Sequence, residues 1–420
     1  MALIKFLPEI SAFLIFIMVS TQLPAVGPVL ILAEIGLVGL LFLVRPMAFV
    51  EIITRWWALL LLPIIFTASA LWSDAPMTSL RYGAQFVFTM FMGLLIARLL
   101  TPRRFLIVFA CSVFIFCVLC ILNGRQGSSA DGMVLIGLTG SKNQLGYEAQ
   151  LLMTSALAML LMGVRFVALR WLAVLSFPLA LYLVLEVNSA TALLMAIGGS
   201  AALFALWLMQ RFTPGGRLAT MIGAVIVLAP ITLVIPEIIE AMNHFLFDTL
   251  NKDPTLTGRV FLWAAADDLA ERRPLFGYGY QAIWIGDSSE SIGLRRLAGI
   301  SDGRTFHFHD QFRQIRVDTG LLGLTVFVAV LAAVGFALLR RILLKPDVPT
   351  AFFFVLYLLM VVRAFTDIIM GPFSIHTILF AATSAYAFLP LHETVPAAGA
   401  QPPPWWRRHG RRGARTVTTA

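Results

Sequence analysis

The sequence predicts an all-α polytopic membrane protein: about twelve transmembrane helices and one large external loop containing short helices. Three observations carry this expectation. Of the 420 residues, 59% are hydrophobic and only 13% charged, against about 25% charged in ordinary soluble domains. The mean hydropathy of +0.88 is more apolar surface than a water-soluble core of this size could hide. The apolar residues also gather into runs close to the roughly 17–25 residues that a helix needs to cross a bilayer. A disordered chain, a disulfide scaffold and a soluble nucleic-acid binder are all excluded, so the net charge of +9 does not point to nucleic acid.

The runs lie near 6–23, 25–44, 56–72, 84–100, 105–122, 144–164, 166–185, 189–210, 218–235, 319–340, 351–370 and 373–391. Only the turn signal Gly371-Pro372 separates the last two. Pro8 and Glu9 interrupt the first run and no small-residue cleavage site follows it, so it reads as a span rather than a signal peptide. An even number of crossings places both termini on one side, and the basic residues choose which. Loops on the terminal side carry Lys5, Arg45, Arg55, Arg98, Arg103, Arg104, Arg165, Arg170, Arg211, Arg217, Arg340, Arg341 and Lys345, and the tail adds Arg407, Arg408, Arg411, Arg412 and Arg415. Short loops on the opposite side carry only Arg81, Arg125, Lys142 and Arg363. The positive-inside rule therefore predicts cytoplasmic termini. Cys111, Cys117 and Cys120 share one apolar run without a neighbouring His or carboxylate, so they read as packing residues.

This divides the chain into residues 1–235 with nine spans, an external loop over 236–318, residues 319–392 with three spans, and a tail over 393–420. The tail, rich in Pro, Arg and Gly, is expected to be disordered and to touch anionic lipid. The loop is the long hydrophilic stretch between spans, and connections of that length are usually functional.

Within the loop, TLTGRVFLWAAADDLAERRPLFGYGY reads as a helix and its stop. Thr255 or Thr257 can cap it, Asp267, Asp268 and Glu271 share a polar side, and Pro274 ends it. Phe261, Ala265 and Leu269 would form an apolar stripe resting on the membrane surface or the span ends. Arg259 falls in the first turn, where the helix dipole already favours anions. It can bind a phosphate or pair with a loop carboxylate.

A second stretch, TFHFHDQFRQIRVDTGLLGL, places His307, His309 and Asp310 where the chain re-enters the membrane. As zinc ligands they would supply at most three donors in an awkward arrangement. The remaining readings are a structural histidine or a general base, since an imidazole titrating near neutrality can take a hydroxyl proton. No metal site is expected. Arg313 and Arg316 follow on roughly one helical side, as a phosphate-binding wall would require.

A third, GLTGSKNQLGYEAQ, has the wrong spacing for a P-loop, and no strand is expected before it. Lys142 and Asn143 could bind an anionic or sugar group there, or be a snorkelling Lys beside a capping Asn. Arg363 and Asp367 stand four residues apart in the eleventh span. Charges inside a span usually pair and face the bundle interior, which leaves structural support and substrate contact both open.

These stretches, in this order on this topology, resemble the O-antigen polymerase and ligase superfamily of bacterial envelope proteins, most closely its exopolysaccharide-polymerase branch. GSKNQLG is similar to the family's Lys-Asn-x-Leu/Phe-Gly/Ala signature, and TGRVFLW with PLFGYGY to its Gly-Arg-x-x-x-Trp and Pro-Leu-x-Gly-x-Gly pair. HDQFRQIRVDTGLLG is similar to its His-Asn-x-x-Leu and Glu-x-Gly-x-x-Gly signature. The resemblance implies a glycosyltransferase of the bacterial inner membrane, working outside the cytoplasm without metal or cofactor. It would pass glycan from an undecaprenyl-diphosphate carrier to a sugar hydroxyl of a lipid-linked repeat unit.

His309 would then be the base and Arg259 a diphosphate ligand, with Lys142, Asn143, Arg313, Arg316, Arg363 and Asp367 as further substrate-binding candidates. The implied partners are the lipid-linked oligosaccharide, membrane lipid, a chain-length regulator and export proteins. Two departures stand out: Asp310 replaces the usual Asn, and Asn188-Ser189-Ala190-Thr191 lacks the Arg often found after a Ser opening the eighth span. An O-antigen ligase, joining glycan to a lipid A-core acceptor, is the alternative within this class. A lipid-linked glycan flippase is the alternative outside it, although a transporter should carry its charges at midplane.

Overall fold

The computed structural model describes residues 2–129, 132–227, 229, 259–285, 288–300 and 306–390. The expected caps Thr255 and Thr257 and the tail 393–420 lie outside the described residues. After one turn at Ala2–Lys5 the chain forms α1 (Leu7–Ser20), α2 (Gly27–Val44), α3 (Pro46–Trp56), α4 (Leu61–Ala68), α5 (Pro76–Leu99) and α6 (Pro102–Asn123). A small antiparallel hairpin, β1 (Gln126–Ser129) and β2 (Gly132–Leu135), leads to α7 (Lys142–Leu161), α8 (Val167–Glu186) and α9 (Ala190–Met209). There follow α10 (Pro214–Val227), α11 (Arg259–Arg272), α12 (Ser289–Leu297), α13 (Gln311–Leu344), α14 (Val348–Ala364) and α15 (Ile375–Ala387).

Seven helical segments among the described residues are long and apolar enough to cross a membrane, and α1, α10, α14 and α15 are shorter apolar helices. Each predicted run meets an observed helix. The run at 56–72 starts ten residues early, at Pro46, because α3, a 3-10 turn over Trp57–Leu60 and α4 follow one another. The charges of that first part interrupt the apolar string but leave Ala48, Ile52 and Trp56 on a buried face.

Starts are set by local chemistry. Pro occupies the first turn of α3, α5, α6 and α14, where its missing N–H costs nothing. Side chains of Thr101, Ser141, Ser189, Asp310 and Asp347 accept the free N–H groups of α6, α7, α9, α13 and α14.

All thirteen residues of α15 are buried. It packs on α5, α14 and α13, while α7 packs on α6, α8, α9 and α14. The outer helices expose large apolar side chains such as Leu32, Leu43, Leu185 and Phe336, the kind of surface a bilayer covers and water does not.

The loop helix α11 buries a different stripe from the predicted one. Phe261 is 66% exposed, whereas Leu262, Ala266, Leu269 and Ala270 are buried and the helix packs on α13. The buried face follows spacings of four, three and one rather than two steps of four, which turns it by one residue.

Beyond α11, the PLFGYGY stretch docks onto a break in α13. Gly320 is non-helical there (φ 62°, ψ −156°), which frees the carbonyls of Val317 and Asp318 to accept the N–H groups of Tyr278 and Gly279 at 2.9 and 2.8 Å. In return Leu321 N–H donates to Pro274 O at 2.8 Å. A Cβ on Gly320 would lie 2.3 Å from the Leu275 backbone, and one on Gly277 2.4 Å from Val317 O. Both similarity motifs therefore serve one close backbone contact.

Candidate active site

Four chain segments converge on an open cleft of about 120 Å³, lined by Asn143, Ser189, Thr191, Ala192, Arg259, Arg363, Thr366 and Asp367. Asn143 stands in the first turn of α7, Ser189 and Thr191 open α9, and Arg259 is the first described residue of α11. Helix starts carry partial positive charge and free N–H groups. Those of α7 and α9 meet here beside two guanidinium groups, so the cleft favours an anion.

The end of α14 shapes the floor. Its last helical residue is Ala364, and the N–H groups of Thr366 and Asp367 both return to Arg363 O at 2.8 Å. That turn brings the Asp367 carboxylate back to the Arg363 guanidinium, Nη2 to Oδ2 at 2.8 Å. The two residues are thus paired, with Asp367 past the helix end rather than on its face. Gln311, in the first turn of α13, fixes the segment further by accepting the N–H groups of Ile369 and Met370, both at 2.9 Å. Arg259 Nη1 donates to Thr366 O at 3.1 Å. Burial lowers the Arg259 pKa, with Asp367 opposing and Arg363 adding to the effect. A guanidinium keeps its charge regardless.

His309 lies one carboxylate away from the cleft: its Nδ1 is 3.8 Å from Asp367 Oδ1. It adopts a left-handed backbone (φ 54°), a strained choice for a residue with a Cβ and one that clusters at functional sites. The strain is held from both sides. Phe308 N–H donates to Gln314 Oε1 at 3.2 Å, Trp263 Nε1 donates to Phe308 O at 2.9 Å, and His309 N–H donates to His307 Nδ1 at 3.2 Å. His307 must be neutral to accept that bond. Burial pushes its pKa down to about 4, with His309 and both cleft arginines adding and Asp367 opposing.

Donor atoms of His307, His309 and Asp367 lie within 4.8 Å of one another, a grouping a divalent cation could use. Its surroundings disfavour one. The single carboxylate is already paired with Arg363, and Arg259 adds a second positive charge, so a metal would meet net repulsion.

The remaining sequence candidates take other positions. Lys142 shares the first turn of α7 with Asn143 but lies outside the cleft lining. The cap of that helix is Ser141, accepting Gln144 N–H. Arg313 pairs with Asp310 at 2.7 Å and with Asp267 at 3.2 Å, and its guanidinium lies 5.1 Å from the Trp263 ring centroid. Asp310 caps α13, so the carboxylate facing His309 comes from Asp367 and not from its sequence neighbour. Arg316 is half-buried one turn further along α13 and forms no ion pair with a described residue.

Sequence reasoning missed Gln311, Gln314, Trp263, Ser189, Thr191 and Thr366 as parts of this arrangement. Two glutamines in the first turns of an apolar span were a usable signal, because a buried amide needs partners. A main-chain carbonyl such as that of Thr366 leaves no trace in the sequence.

The O-antigen ligase family model matches residues 175–328. The matched stretch contains Ser189, Thr191, Arg259 and His309, while Asn143, Arg363 and Asp367 reach the cleft from outside it. The chain is also 29% identical, over 354 residues, to the exopolysaccharide production protein ExoQ of Rhizobium meliloti (strain 1021), covering 81% of this chain and 79% of that protein.

Proposed function

We propose that the protein is a polysaccharide polymerase of the bacterial inner membrane, with twelve crossings, cytoplasmic termini and the cleft on the outer side. It transfers glycan from an undecaprenyl-diphosphate carrier to a sugar hydroxyl of a lipid-linked repeat unit. The observation that carries this reading is the row His309–Asp367–Arg363 at an anion-favouring cleft with Arg259: a histidine 3.8 Å from a carboxylate stands beside the cations that a diphosphate needs. The match of residues 175–328 to the O-antigen ligase family model and the resemblance to an exopolysaccharide production protein support it.

In this mechanism Asp367 holds the His309 tautomer with its proton on Nδ1, leaving Nε2 free. Nε2 takes the proton of the acceptor hydroxyl as the oxygen bonds to the anomeric carbon of the donor. The bond from that carbon to the diphosphate oxygen breaks, and the electron pair leaves on the lipid diphosphate. Arg259, Arg363 and the starts of α7 and α9 neutralise the charge that develops there. A diphosphate is already a good leaving group, so positioning and charge suffice without metal.

The ligase reading is favoured by the description of the matching family. Deleting the protein and analysing lipid-linked glycans separates the two. A polymerase mutant accumulates single repeat units facing outward, whereas a ligase mutant accumulates long lipid-linked polymer. Repeat units retained inside would instead indicate a flippase and overturn the enzyme reading.

A further inference from the structure

Beneath the cleft floor lies a stack of three side chains from three helices. The Arg363 guanidinium stands 4.6 Å from the centroid of the Tyr147 ring. The His376 imidazole stacks on the same ring, with centroids 4.0 Å apart and planes 14° from parallel. Tyr147 thus contacts both groups through its ring. All three are buried, at 6% exposure for Arg363, 1% for Tyr147 and 7% for His376. The Tyr147 hydroxyl has no hydrogen-bond partner among the described residues, so the hydroxyl does not explain a tyrosine at this position. The ring face does. Arg363 in turn places only one nitrogen on Asp367, and its buried Nε is without a partner among the described residues. One hydrogen bond does not fix a plane, whereas a ring beneath the guanidinium does.

We propose that Tyr147, braced by His376, is a positioning residue for the transfer reaction. Its ring face holds the Arg363 plane by a cation–π contact, and Arg363 in turn holds the Asp367 carboxylate against His309. The inference rests on the reading of this cleft as the transfer site, and it assigns a role to α15, which contributes no residue to the cleft lining. A buried contact between a guanidinium and an aromatic face is worth more than an exposed one, because water no longer competes for the cation.

The test replaces Tyr147 by phenylalanine and then by phenylalanines carrying one, two and three ring fluorines, which drain the ring face of negative charge at nearly constant shape. Transfer is measured in membranes with a lipid-linked donor. The expected result is Tyr147→Phe within about twofold of wild type, and a stepwise fall to about tenfold at three fluorines. His376→Phe keeps the stack and should keep activity, and His376→Ala should lose part of it. A flat fluorine series alongside His309-dependent transfer overturns the positioning role and leaves the proposed function standing.

A double-mutant cycle of Tyr147→Leu and Arg363→Met, read by thermal unfolding of purified protein, tests the contact without any transfer assay. Non-additivity of about 2 °C or more is expected. Additive losses overturn the contact even if the protein proves not to be a transferase.

Discussion

Two arginine–carboxylate pairs flank His309, and they are almost twins in length. Arg313 meets Asp310 at 2.7 Å, and Arg363 meets Asp367 at 2.8 Å. Their surroundings differ. Arg313 is one-third exposed and is shared with a second carboxylate, Asp267, while Asp310 caps α13 with its other oxygen. That pair is satisfied, and it fastens the loop helix α11 to α13. Arg363 is 8% exposed in its side chain and, among the described residues, has a single carboxylate partner and a buried Nε without a hydrogen bond. Asp367 uses one oxygen on Arg363, while the other accepts the Ile368 N–H at 2.9 Å and lies 3.8 Å from His309 Nδ1. Pair geometry does not separate structure from function here; the donors and acceptors left over do.

Substitutions can break this contrast in order of expected effect. Arg363→Ala strips the cleft of a buried cation and leaves Asp367 unpaired, so transfer should fall by about a hundredfold or more. Asp367→Asn, which keeps the shape but not the charge, should lower kcat by about tenfold through His309, with a smaller change in KM. Arg259→Ala should act mainly on donor binding, raising KM by about tenfold in an assay that varies the lipid-linked donor. Arg313→Ala is the control on the other side. It should change transfer by about twofold or less while lowering the unfolding temperature, because it frees α11 from α13. A large kinetic effect of Arg313→Ala with no change in stability would erase the distinction between the pairs.

The histidine neighbour gives a pH signature that sharpens the same comparison. The pKa of folded His307 lies at about 4, against an ordinary 6.5. The unfolded chain therefore takes up a proton that the folded chain refuses as pH falls below about 6.5, and stability should decline down to about pH 4. Thermal unfolding across that window should show the decline in wild type. His307→Asn, which can still accept the His309 N–H but does not titrate, should flatten it.

How much of this was legible in the sequence depends on the range of the interaction. Apolar runs announced the helices because burial in lipid is a property of whole segments. Arg259, His309, Arg363, Asp367 and Asn143 stood out as polar groups at the edges of those runs, and the structure brings four of them to one cleft lining with His309 beside it. The carboxylate partner of His309 was not legible. Asp310 is adjacent in sequence, but helix capping turns it away, and Asp367 arrives from 58 residues further along the numbering. The PLFGYGY and TGLLG motifs read as separate signatures, yet they form one backbone docking contact at Gly277 and Gly320. Of the stripe read from Phe261, Ala265 and Leu269, only Leu269 is buried against the protein, because a four-residue repeat over one short helix does not fix the phase of its packed face.

The most direct test is the rate of glycan transfer from a polyprenyl-diphosphate donor by purified wild-type protein and by His309→Ala, with donor concentration varied. Loss of a general base predicts a fall in kcat of about a hundredfold or more, with the KM for the donor little changed because Arg259 and Arg363 remain in place. Wild-type kcat in His309→Ala would contradict the account at its centre.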